Sequence, residues 1–174
     1  MSPAEAQEDT YAGAGLLRGQ LTISPSRAFA LKESYFYLHG NVAGYLSSRI
    51  SVSGEGYYYL GSFSATNSFD YHHTAFFGPS WHFPMNNHDL YVGLQPGLSF
   101  TKLHVGKNET SKTHMGVNPM FSMVAGYNFF VNGVFHFFVQ TRYVLGEHNY
   151  DKPVNLSELR LSAGLGFHLQ TRKW

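Results

Sequence analysis

Ten histidines and no cysteine set the first chemical question for this 174-residue chain. Histidine acts as a metal ligand or as a general base. Paired spacing such as HExxH would mark a zinc site on a helix, and none is present. His72 and His73 are adjacent, and neighbouring side chains of an extended segment point to opposite faces, so these two do not share one metal ion. His39, His82, His136 and His168 fall by alternation on one face of their segments. A histidine there reads as a hydrogen-bonded filler. No metal and no cofactor are expected. A serine nucleophile needs a base and an acidic orienter. Tyr71-His72-His73-Thr74 and Glu147-His148 offer histidines, but no Ser–His–acid set stands out by spacing, and no catalytic residue is assigned.

The elements that would position such groups are strands. In Leu159–Leu169 the odd positions are Leu, Leu, Ala, Leu, Phe and Leu, and the even ones Arg, Ser, Gly, Gly and His. Period-two alternation marks a strand with one apolar face and one polar or small face. The apolar face is uncharged over about ten residues, the length of a tilted membrane-crossing strand. The pattern recurs in eight segments: about Ala14–Ser24, Ser34–Leu46, Ile50–Gly61, Thr74–Phe83, Leu90–Thr101, Val117–Phe130, Val134–Gly146 and Leu156–Gln170. The short connections are 47–49, 84–89 and 131–133, the last holding the favoured hairpin dipeptide Asn132-Gly133. The connections near 25–33, 62–73, 102–116 and 146–155 read as longer and polar. Alternating loop length with an even strand count is the pattern of an outer-membrane barrel with both termini periplasmic.

Composition agrees. Charged residues make up 13% of the chain, about half the share usual in a soluble domain. Aromatics reach 17%, yet no stretch approaches the roughly 18 apolar residues of a membrane-crossing helix. A net charge of +1 argues against a nucleic-acid partner. The soluble alternative, a lipocalin-like barrel with its apolar face inward, needs many outward charges along its strands. Here Arg18, Glu55, Arg142, Glu158 and Arg160 are the charges that clearly lie within strands. Aromatics also collect at strand ends: Trp81, Phe83, Phe129, Phe130 and Phe135 at one, Tyr35, Phe36, Tyr58, Phe100 and Tyr143 at the other. The fold class is therefore all-β, an eight-stranded antiparallel up-and-down transmembrane barrel spanning 14–170. Residues 1–13 and 171–174 are expected to be periplasmic segments. No apolar signal core follows Met1, so the chain reads as a mature form.

The five strand-borne charges fall on the inner face. A hairpin centred near Asp151 sets Arg142 opposite Arg160, with Glu158 on the same face, and Glu55 can reach Arg142 across the lumen. Buried charges must be paired, so these residues, with Arg18, are expected to form an ionic plug. A gated narrow ion path is the alternative.

The chain resembles small eight-stranded bacterial outer-membrane proteins, such as the outer-membrane protein A transmembrane domain and the X- and W-type barrels. In general style it is also similar to Bacteroidota outer-membrane barrels. Ser162-x-Gly164-x-x-Phe167-x-Leu169 looks like their assembly signal, although Gln170–Trp174 continue beyond it. The resemblance implies that the barrel-assembly machinery reads this last strand. Lys102, Lys107 and Lys112, in the third long loop, are expected to contact lipopolysaccharide phosphates at the outer rim. The expected role is non-enzymatic: a structural or interaction barrel, surrounded by outer-membrane lipid and serving as an accessory subunit beside another outer-membrane protein. The alternatives are a deacylase-like lipid-modifying enzyme and a narrow small-solute pore.

Overall fold

A computed structural model describes residues 11–104, 114–150 and 152–171. Nine strands follow one another: β1 (Leu16–Ala28), β2 (Glu33–Tyr45), β3 (Ile50–Ser62), β4 (Phe69–Met85), β5 (His88–Leu103), β6 (Gly116–Phe130), β7 (Phe135–His148), β8 (Val154–Asn155) and β9 (Glu158–Gln170). Every long strand pairs antiparallel with its sequence neighbours. The β1–β9 and β7–β9 ladders close the sheet into an eight-stranded barrel. β8 is a two-residue strand that pairs antiparallel with the last two residues of β7. No described helix is long and apolar enough to cross a membrane.

Alternation sets the two surfaces. Leu165 and Val139 are 52% and 50% exposed on the outside, with Leu94, Leu161 and Phe167 beside them. Arg160, His168, Gln140 and Gln95 are buried in the lumen, together with Tyr37, Tyr57, Tyr59 and Phe138. A polar interior under an apolar exterior inverts the soluble arrangement and matches a membrane barrel. Closing eight strands leaves room only for side chains. Rings fill that room where the neighbouring strand is bare: a Cβ at Gly126 would collide with the Tyr91 ring on the paired strand.

Two loop expectations are corrected. The segments 25–28 and 69–73, read as loop, belong to β1 and β4, leaving connections at 29–32 and 63–68. Ser26 and His72 still alternate with Arg27 and His73, but the outward side of these strand ends mixes Arg27, Asp70 and His73 with Pro25 and Tyr71, so it carries no continuous apolar face. Two aromatics assigned to the interface belts are also corrected: Tyr35 and Phe130 point inward and are buried.

Candidate functional site

Four carboxylates are buried among the described residues: Glu33 accepts from Tyr35 OH at 2.6 Å, and the other three, Glu158, Glu55 and Asp89, each meet a histidine and a tyrosine hydroxyl. Near the end where β9 begins, Glu158 accepts from Arg160 Nε at 3.1 Å and from Arg160 Nη2. Ser26 Oγ donates to it at 2.7 Å and Tyr37 OH at 3.2 Å, while His72 Nε2 stands 3.9 Å away. The Arg160 guanidinium lies 4.3 Å from the ring centres of both Tyr37 and Tyr57. In the middle, Glu55 pairs with Arg142 Nη2 at 2.5 Å and with His39 Nε2 at 3.0 Å. Gln140 Nε2 donates to Glu55 at 2.8 Å, and Arg142 also donates to Gln95 Oε1 at 2.9 Å. Charge-assisted bonds of this kind hold a dry interior together. Near the mouth where β1 begins and β9 ends, Asp89 accepts from Tyr45 OH at 2.7 Å and from Asn128 Nδ2 at 3.1 Å, and His82 Nδ1 lies 2.9 Å away.

The structure thus brings Glu55 to Arg142 and Glu158 to Arg160, and the β7–β9 ladder sets Arg142 directly across from Arg160. Arg18 is also in the lumen but belongs to neither pair. Among the described residues it meets no carboxylate within salt-bridge distance. It donates to Tyr45 OH at 3.3 Å and lies over the rings of Tyr45 and Tyr91. Its link to negative charge runs through Tyr45 to Asp89, a residue that reads as part of a turn.

β9 places Ser162 inward, where it donates to Ser24 Oγ at 3.0 Å, and sets Gly164 against Phe138. Phe167 and Leu169 lie outside, exposed. Lys102 stands on β5, 4.0 Å from Asp70, with its ammonium 5.9 Å from the centre of the Tyr71 ring. Lys107 and Lys112 lie outside the described residues. His72 is buried in the lumen, while His73 stacks on Tyr58 at 4.3 Å on the other face. His148, read as a rim residue, is likewise inside, its Nδ1 2.7 Å from Thr101 Oγ1.

A constellation not visible in the sequence also emerges. Ser51 Oγ lies 2.7 Å from His82 Nε2, and the same ring reaches Asp89 through Nδ1. Spacing along the sequence gives no sign of this set. The three residues come from β3, β4 and β5, and only the register brings them together: Ser51 pairs with Ser80, and His82 pairs with Tyr91.

No protein-family model matches the chain, and no curated protein matches it by sequence. Solved structures do match. Outer-membrane protein OprG of Pseudomonas aeruginosa aligns with a TM-score of 0.73 at 11% identity, over 94% of this chain and 100% of that one. The fold is that of the small outer-membrane barrels. The N-terminal barrel domain of OprF, also from Pseudomonas aeruginosa, gives 0.64 at 13% identity, covering 90% of this chain and 99% of its own. Neisserial surface protein A gives 0.64 at 14% identity, covering 90% and 97%.

Proposed function

We propose that this chain is a structural or interaction barrel of the bacterial outer membrane, with both termini periplasmic, serving as an accessory subunit beside another outer-membrane protein. The observation that carries this reading is the occupied lumen. Arg142, Arg160, Tyr37, Tyr57 and Phe138 are fully buried in it, which supports a role other than solute flow. A partner protein would then be met at the outer surface and the rims. A groove of about 680 Å³ runs over the outside of β4–β7, with Ala125 and Thr141 between the larger Trp81, Leu94, Met123 and Tyr143. Small residues at a membrane-embedded surface let a partner approach closely. Lipopolysaccharide is the proposed partner of the Lys102 rim, and the assembly machinery that of β9.

The tests separate the classes. Crosslinking at position 125 in native membranes, followed by purification, is expected to capture a discrete outer-membrane protein. A smear of unrelated proteins, or none, speaks against the subunit role. In planar bilayers the pure barrel is expected to give no large, stable conductance; a steady porin-like current would overturn the plugged lumen. Lipopolysaccharide incubated with the barrel should keep all its acyl chains by mass spectrometry. Chain loss that depends on His73, the outward histidine of the His72-His73 pair, would favour the lipid-modifying enzyme.

A further inference from the structure

The Ser51–His82–Asp89 relay stands at the mouth where β1 begins and β9 ends. Ser51 follows the 46–49 turn into β3, Asp89 follows the 86–87 turn into β5, and His82 lies near the end of β4. With Asp89 accepting the proton of Nδ1, His82 Nε2 is left to accept the Ser51 hydroxyl proton, which is the tautomer a serine nucleophile requires. Asp89 is itself held by Tyr45 and Asn128.

Positive charge is close. The Tyr45 and Tyr91 rings pack against His82 at 4.5 and 5.4 Å, and Arg18 lies over both. Arg18 Nε is buried and without a hydrogen-bond partner among the described residues. Buried donors are nearly always paired, so this N–H lacks an acceptor that an oxyanion would provide.

The cover over the relay is not a barrel strand. Residues 11–15 cross the mouth. Tyr11 N donates to Asn86 O at 3.4 Å, and the Tyr11 ring stacks on Phe130 at 5.6 Å. Ala12 and Leu16 pack with Tyr45 and Phe130 in a small apolar cluster. Tyr11 is 41% exposed, and its amide bond to the 86–87 turn is long. Lifting this strap would uncover apolar walls of Leu16, Tyr45 and Phe130 beside the relay.

We propose that Ser51, His82 and Asp89 form an acyl-transfer site closed by the 11–15 strap, whose substrates are small carboxylic esters with a single apolar acyl chain. Ser51 Oγ attacks the ester carbonyl carbon while His82 Nε2 takes the hydroxyl proton. The carbonyl oxygen gains negative charge in the field of Arg18. The bond to the alkoxy group then breaks, and His82 returns the proton to the leaving alcohol. Water attacks the acyl-serine with His82 again as base, releasing the acid and restoring Ser51. This activity goes beyond the structural role, and each stands or falls without the other.

The test is covalent labelling. Full-length barrel folded in micelles is treated with a short alkyl fluorophosphonate, and its peptides are mapped by mass spectrometry. An adduct on Ser51 is expected, absent in Ser51→Ala. In His82→Gln and Asp89→Asn labelling is expected to slow by about 100-fold or more, the contribution of a positioned base. Tyr11→Ala removes the strap's stack on Phe130 and is expected to speed labelling roughly five- to tenfold, the worth of one aromatic pair. It should speed hydrolysis of 4-nitrophenyl butyrate likewise. Heat-modifiable gel migration establishes that each protein is a folded barrel. A folded wild type and a folded Tyr11→Ala that both leave Ser51 unlabelled would overturn the proposal. So would labelling that both base variants leave unchanged.

Discussion

Replacing Arg142 by methionine is expected to destabilise the barrel by about 3–5 kcal/mol at neutral pH, the cost of breaking a buried ion pair on one side. Arg142 is fully buried, and Glu55 lies 2.5 Å from its Nη2. Without the guanidinium, Glu55 keeps His39 and Gln140 as partners but loses its only salt-bridge arginine among the described residues. Glu55→Gln alone is expected to cost a similar amount, because it strands Arg142. The double variant should recover most of either loss, since removing both charges also removes the desolvation penalty. Urea unfolding in lipid vesicles measures all three. Additive losses in the double variant would mean that the two groups do not act as a pair.

The second large effect lies on the outside. Leu94 sits halfway along β5 and is 54% exposed. In a soluble barrel, arginine at a half-exposed position would shift stability by no more than about 0.5 kcal/mol. On a lipid face near the bilayer midplane it costs roughly 2–4 kcal/mol. Leu94→Arg is expected to show the larger loss in vesicles, and a smaller one in the same substitution at a strand end, such as Met85→Arg. Equal and negligible losses at both positions would place this surface in water.

Much of this was legible. Strand positions, the inward turn of Arg142, Arg160, Glu55 and Glu158, and the outward turn of the leucines all follow from period two, because each face meets one solvent along its whole length. Legibility ended where that contrast ended. At 25–28 and 69–73 the outward side mixes Arg27, Asp70 and His73 with Pro25 and Tyr71 and carries no continuous apolar face, so the sequence resembles a loop. Alternation also assigns a face but not a neighbour. Arg18 was legibly inward, yet its partnership with Tyr45 depends on strand stagger. Asp89 reads as a turn residue because Asn86-Asn87 precede it, and the diagonal from Ser51 to His82 exists only after β3 and β4 are set in register. Lumen chemistry is read across strands, and a single sequence records only what lies along them.

The pairing of Arg142 with Arg160 across the β7–β9 ladder has a bearing on how the barrel is built. A strand slipped by one residue turns every side chain to the opposite surface. For β9 that slip would turn Glu158 and Arg160 to the outside of the barrel, level with Ala28 and Ser26 of β1, and bring Leu159 and Leu161 into the lumen. The cost lies mainly inside, where Tyr37 and His72 would lose Glu158, the partner they share in the closed barrel, and breaking buried polar contacts of this kind costs several kcal/mol. β9 is also the closing strand, since it joins both β1 and β7. The same groups that fill the finished lumen therefore act during insertion as an error check: a misaligned seam cannot settle, and closure waits for the alignment that returns the charges to one another.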